Sequence, residues 1–99
     1  LNDKAKALSA FDEAIKHDYY FLDGYFEKGS LLYDMKKYEE ALAVFNLALT
    51  ISPSFPDAYY WIAKCQEALG KKEEAKVNYL RAYELDKSMK EAKEAAEKL

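Results

Sequence analysis

The feature that most constrains this chain is a repeat of 34 residues that runs through it without slipping. Ala7, Ala41 and Ala75 stand one period apart. Each is followed four residues later by an aromatic side chain (Phe11, Phe45 or Tyr79) and three residues after that by a second alanine (Ala14, Ala48 or Ala82). The acidic pairs Glu39-Glu40 and Glu73-Glu74 keep the same offset, as do Tyr25 with Tyr59 and Gly29 with Ala63. Self-similarity at such a period marks stacked structural units, because one unit cannot bury its apolar face without a neighbour.

Inside a unit the spacing is helical. Tyr25, Gly29 and Leu32 recur at i, i+4 and i+7 and share one stripe of a first helix, and Ala41, Phe45 and Ala48 do the same on a second. Residues 34–38 form the turn between them, and in the next copy Gly70 stands where a helix end favours a left-handed residue. Each unit is therefore a helical hairpin in which Gly29 or Ala63 permits close approach and Phe45, flanked by Ala41 and Ala48, fills the gap.

These residues resemble the tetratricopeptide-repeat (TPR) family, whose signature runs aromatic-x2-Leu-Gly-x2-Tyr, Ala-x3-Phe and Pro. The chain reads Tyr25-x2-Lys28-Gly29-x2-Leu32, Ala41-x3-Phe45, Pro53, then Tyr59-x2-Ile62-Ala63-x2-Gln66, Ala75-x3-Tyr79, Lys87. Lys28, Gln66 and Lys87 depart from the pattern, and Gln66 puts a polar group where a core side chain is expected, so it needs a partner. The resemblance implies an all-α, right-handed α-solenoid of antiparallel helical hairpins, with about six helices in one domain spanning 1–99. It divides into the second helix of an incomplete repeat (1–21), repeats at 22–55 and 56–89, and a capping helix at 90–99. The expected helical stretches are 3–17, hairpins at 22–51 and 56–85, and a last helix from about 88. Ser54-x-x-Asp57 reads as a capping box with Pro56 in the first turn. Met89, Ala92, Ala96 and Leu99 form the apolar stripe of the cap.

Counting back one period places Leu1 at the end of a first helix that is otherwise absent, so the natural chain is expected to begin upstream. The helix at 3–17 is then an orphan, and its face of Leu8, Phe11 and Ile15 is expected to lose part of its covering, giving self-association through this surface or marginal stability.

Composition excludes several functions. The formal net charge is -3 with no block of Lys or Arg, which argues against nucleic-acid binding through the phosphate backbone. No apolar run reaches membrane-spanning length, and a single cysteine, Cys65, forms no intrachain disulfide and leaves the compartment open. With one His and one Cys, no Gly-rich phosphate loop and no metal-ligand spacing, the sequence predicts no catalytic residues, no metal and no cofactor. His17 reads as a helix-end residue, Cys65 as a small core residue, and the acidic pairs as complements to helix N-termini.

The expected function is a scaffold that holds a peptide or helical segment of a partner protein. In the family the first helices of successive hairpins line the concave face. The stripe of the first hairpin that the core leaves over contains Phe26, Glu27, Ser30, Tyr33 and Asp34, and that of the second contains Tyr60, Trp61, Lys64 and Glu67. Aromatic residues of this kind are enriched at binding hot spots, and carboxylates outnumber Lys64, so the expected ligand is basic or neutral. Chaperone-adaptor members of the family grip acidic peptides with Lys, Asn and Arg. Phe26 and Trp61 stand where such a clamp would use Lys and Asn, which argues against that subtype. The alternative is a structural module whose repeats stack into oligomers without a separate ligand.

Overall fold

The computed structural model describes residues 6–8 and 22–99. Residues 6–8 are helical, within the expected stretch at 3–17, and Leu8 is half-buried against the core. Phe11, Ile15 and His17 lie outside the described residues, and with them most of the expected self-association face. Five helices follow: α1 (Leu22–Asp34), α2 (Tyr38–Ile51), α3 (Pro56–Ala68), α4 (Lys72–Leu85) and α5 (Lys90–Glu97). Each packs on the next in sequence, and α1 also touches α3, so the first helices of the two hairpins lie side by side.

The turns between the helices of each hairpin are built alike. After α1, Lys36 N–H donates to the Tyr33 carbonyl at 2.9 Å and Lys37 N–H to that of Leu32 at 2.9 Å. After α3, Gly70 N–H donates to Glu67 at 3.0 Å and Lys71 N–H to Gln66 at 2.8 Å. This is the Schellman pairing, which needs one residue in the left-handed region. Gly70 meets the need at φ 82°, but its counterpart one period earlier is Lys36, at φ 64°. A side chain there carries local strain, so Lys36→Gly is expected to raise stability by about 0.5–1 kcal/mol in urea denaturation. No gain would mean that the turn is held by other contacts.

The capping box is not formed. The residue preceding α3 is Phe55, no side chain bonds the free N–H groups, and the start signal that operates is Pro56 at the first position. Negative charge does the corresponding work at α2 and α4, where Glu39-Glu40 and Glu73-Glu74 occupy the first turns as expected.

Among the described residues the core forms two clusters, the first joining α1 and α2 to Ile62 and Cys65 of α3 and the second joining α3 and α4 to α5. In the first, the ring of Phe45 is fully buried among Ala41, Ala48, Tyr25, Leu32 and Ile62. A Cβ built on Gly29 would clash with that ring, 2.6 Å from Cε1 and 2.8 Å from Cε2. The ring is fully buried, so relieving the clash requires its neighbours to shift. Gly29→Ala is therefore expected to lower stability by about 1–3 kcal/mol despite alanine's better helix propensity, as read by thermal unfolding. A rise in melting temperature would show that the helices can separate at no cost.

In the second cluster Tyr79 takes the place of Phe45, among Ala63, Ala75, Ala82 and Met89. Its hydroxyl donates to Glu67 Oε1 at 2.7 Å. Gln66 finds its partners across the hairpin: Asn78 Nδ2 donates to its Oε1 at 2.8 Å, and its Nε2 donates to Glu74 Oε2 at 3.4 Å. Cys65 is fully buried, and burial pushes its thiol up to about 11, which keeps it a neutral core side chain. Met89, at the start of α5, and Ala92 and Ala96 on it are buried while the charged residues around them are exposed.

Candidate functional site: an aromatic cleft between successive first helices

A cleft of about 490 Å³ opens beside α1 and α3, lined by Ala7, Phe26, Glu27, Ser30, Leu31, Asp34 and Trp61. Its position follows from helical spacing: Phe26, Glu27, Ser30, Leu31 and Asp34 occupy one side of α1, and Trp61 reaches it from α3. Phe26, Leu31 and Trp61 supply the apolar wall, and among the described residues the charged members of the lining are two carboxylates, Glu27 and Asp34. Both carboxylates belong to solvent-exposed residues.

The rings are packed into the crevice and also partly open. Phe26 lies 4.9 Å from Phe55 and 5.8 Å from Phe45 between centroids, and Trp61 stacks on Phe45 at 5.6 Å with 14° between planes. Both are half-buried, so each offers one side to the core and another to solvent. Tyr33 meets Trp61 edge-on at 5.6 Å and 74°, and Tyr60 meets it at 6.4 Å and 79°. Burial pushes the hydroxyls of Tyr33 and Tyr60 above their ordinary range, with the nearby charge of Glu67 acting the same way, so both stay neutral.

Five of the nine residues expected from sequence, Phe26, Glu27, Ser30, Asp34 and Trp61, line the cleft itself. Tyr33, Tyr60 and Lys64 gather beside it, where the ammonium of Lys64 lies over three rings. Glu67 is engaged with the Tyr79 hydroxyl. Leu31 and Ala7 belong to the lining but were not expected there. Leu31 could have been found, since it lies four residues after Glu27 and three before Asp34 on the same stripe. Ala7 had no such signal, because by period it matches the core position of Ala41. Among the described residues no cluster of His, Cys, Asp or Glu could hold a metal, and no helix is long and apolar enough to cross a membrane.

Stacked helical hairpins with a side-chain-lined cleft along their first helices define a helical-repeat solenoid. The sequence matches the TPR repeat profile over residues 29–70 and the tetratricopeptide repeat profile over residues 56–89, which together cover most of the chain. The chain belongs to the tetratricopeptide-repeat family. It is 33% identical over 98 residues to the heat shock protein STI1 of Saccharomyces cerevisiae, an alignment that takes in 98% of this chain and 17% of that protein. Among solved structures, it is similar to the first TPR of Spaghetti (RPAP3) bound to the HSP90 peptide SRMEEVD. The TM-score is 0.90 at 28% identity, covering 98% of this chain and 77% of that one. The first TPR domain of human RPAP3 superposes with a TM-score of 0.91 at 28% identity, covering 98% of this chain and 76% of that one.

Proposed function

We propose that the cleft between α1 and α3 holds a basic or neutral segment of a partner protein, and that the domain acts by binding, with no catalytic step. The observation that carries this reading is the lining among the described residues: apolar Phe26, Leu31 and Trp61 beside Glu27 and Asp34 as its charged members. Apolar walls supply contact area, and the two carboxylates select the sign of charge. The similar RPAP3 domain is bound to SRMEEVD, a peptide with two glutamates and an aspartate. Peptide binding by a related groove supports the mode, while Glu27 and Asp34 would repel that particular sequence. Of Phe26, Glu27, Ser30, Tyr33, Asp34, Tyr60, Trp61, Lys64 and Glu67, we assign the first contacts to those that line the cleft.

The self-assembly alternative draws little support from the outer surface. The exposed large apolar side chains among the described residues are Leu47, Val77, Leu80 and Leu85, and Arg81 and Glu84 interrupt the stripe of Val77 and Leu80. Scattered apolar residues of this kind are ordinary on a folded surface.

Fluorescence anisotropy with labelled SRMEEVD and a counterpart bearing lysine at its three acidic positions tests the assignment. The basic peptide is expected to bind the natural chain and the acidic one to bind weakly. Glu27→Lys together with Asp34→Lys should exchange the order, since like charge across an interface costs several kcal/mol. Tighter binding of SRMEEVD than of its basic counterpart to the unaltered protein would overturn the proposal.

A further inference from the structure

Beside the cleft, three rings from two different repeats converge on one cation. Lys64 Nζ lies 4.5 Å from the centroid of Trp61, 5.1 Å from that of Tyr33 and 5.7 Å from that of Tyr60. Trp61 and Tyr60 precede Lys64 by three and four residues on α3, so their side chains share its face of the helix, while Tyr33 comes across from α1. The two tyrosines each meet Trp61 close to perpendicular, at 74° and 79°, so the rings stand as walls of a box. Electron-rich faces arranged this way form the kind of cage that recognises ammonium and quaternary ammonium groups.

We infer that Tyr33, Tyr60 and Trp61 form a seat for a cationic side chain of the partner, lysine in its plain or methylated form, which Lys64 fills while the cleft is empty. The inference rests on the reading of this face as the binding surface. Trp61 belongs both to the cleft lining and to the cage, so a segment lying in the cleft reaches the seat without leaving the protein surface. The phenols stay neutral, and the negative charge of Glu67 acts on both tyrosines, so the surroundings favour a positive occupant. Lys64 is a weak internal competitor. Its side chain is only half-buried, its four-carbon stem is flexible, and a cation over rings in such a position is held only modestly. The previous repeat has no such device, because the residue one period before Lys64 is Ser30.

The probe is choline, with 3,3-dimethylbutan-1-ol as its uncharged isostere, followed by NMR at the Trp61 indole N–H and the Lys64 ε-methylene protons. Choline is expected to move the indole resonance and to release the ring-shielded methylene protons toward their free-chain shifts, while the isostere does neither. Lys64→Met keeps the helix and removes the internal cation, and should tighten choline binding by about two- to fivefold. Equal response to the isostere would reduce the seat to an apolar patch, and unchanged choline affinity in Lys64→Met would remove the competition; either result overturns the inference. The peptide titrations with Glu27 and Asp34 reversed fail or succeed independently of choline, so failure of the seat and failure of the cleft are told apart.

Discussion

Truncating Phe45 to alanine is expected to lower the unfolding free energy by about 3–5 kcal/mol, the largest loss from any single side chain described. The ring is wholly buried, lies against the Gly29 backbone and stacks on Trp61. On its own buried stripe of α2 it is flanked by Ala41 and Ala48, both fully buried and both too short to collapse into the space it would leave. The cavity would persist, and cavity volume is what raises the cost of a large-to-small change above simple transfer. In a stacked array each unit depends on its neighbour's surface, so α1 and α2 should loosen together rather than the ring site alone. Urea denaturation followed by circular dichroism measures the effect. A loss below about 1 kcal/mol would show that the hairpin repacks and that Phe45 is not its keystone.

The second large effect is on binding. Trp61→Ala is expected to weaken the basic peptide by about 2 kcal/mol or more, roughly 30-fold, because it removes an aromatic wall of the cleft. The same change also reaches the core. Trp61 is half-buried and stacks on Phe45, so a stability loss of about 1–2 kcal/mol should accompany it, less than for a fully buried ring. Trp61→Leu separates the two contributions, since it keeps apolar volume against Phe45 while removing the indole face. Peptide titration and thermal melting of both variants should show binding lost in each and stability largely restored in Trp61→Leu. If affinity returns with stability, the tryptophan acts through the fold and the cleft assignment is wrong.

Much of this was legible in the sequence because steric periodicity leaves a strong trace. Ala41, Phe45 and Ala48, and their counterparts Ala75, Tyr79 and Ala82, are small-large-small in order because two helices cross there, and the structure buries all six. Lys36 was not legible as a left-handed residue, since nothing in its chemistry favours that conformation; only its register against Gly70 carried the information. The Ser54-x-x-Asp57 pattern failed for the opposite reason. A short polar motif is common by chance, and here Phe55 rather than Ser54 precedes the helix. Within the site, helical spacing placed Phe26, Glu27, Ser30 and Asp34 together because they share one element. The approach of Tyr33 to Lys64 joins two elements, and its distance depends on how the hairpins stack rather than on any local pattern.

The hydroxyl that distinguishes Tyr79 from Phe45 also bears on how the chain avoids folding out of step. Units of equal length and similar shape are prone to mispairing, in which the second helix of one hairpin docks on the first helix of another, in the same molecule or in a second one. Were α4 to pack on α1 in the place of α2, Tyr79 would stand where Phe45 stands, and the position matching its acceptor Glu67 would be held by Tyr33. The hydroxyl would then lose its carboxylate partner in a buried setting, a cost of about 1–3 kcal/mol that the correct order avoids. One oxygen atom thus gives otherwise interchangeable units a sense of sequence, much as a key with one distinct tooth fits a lock in a single orientation.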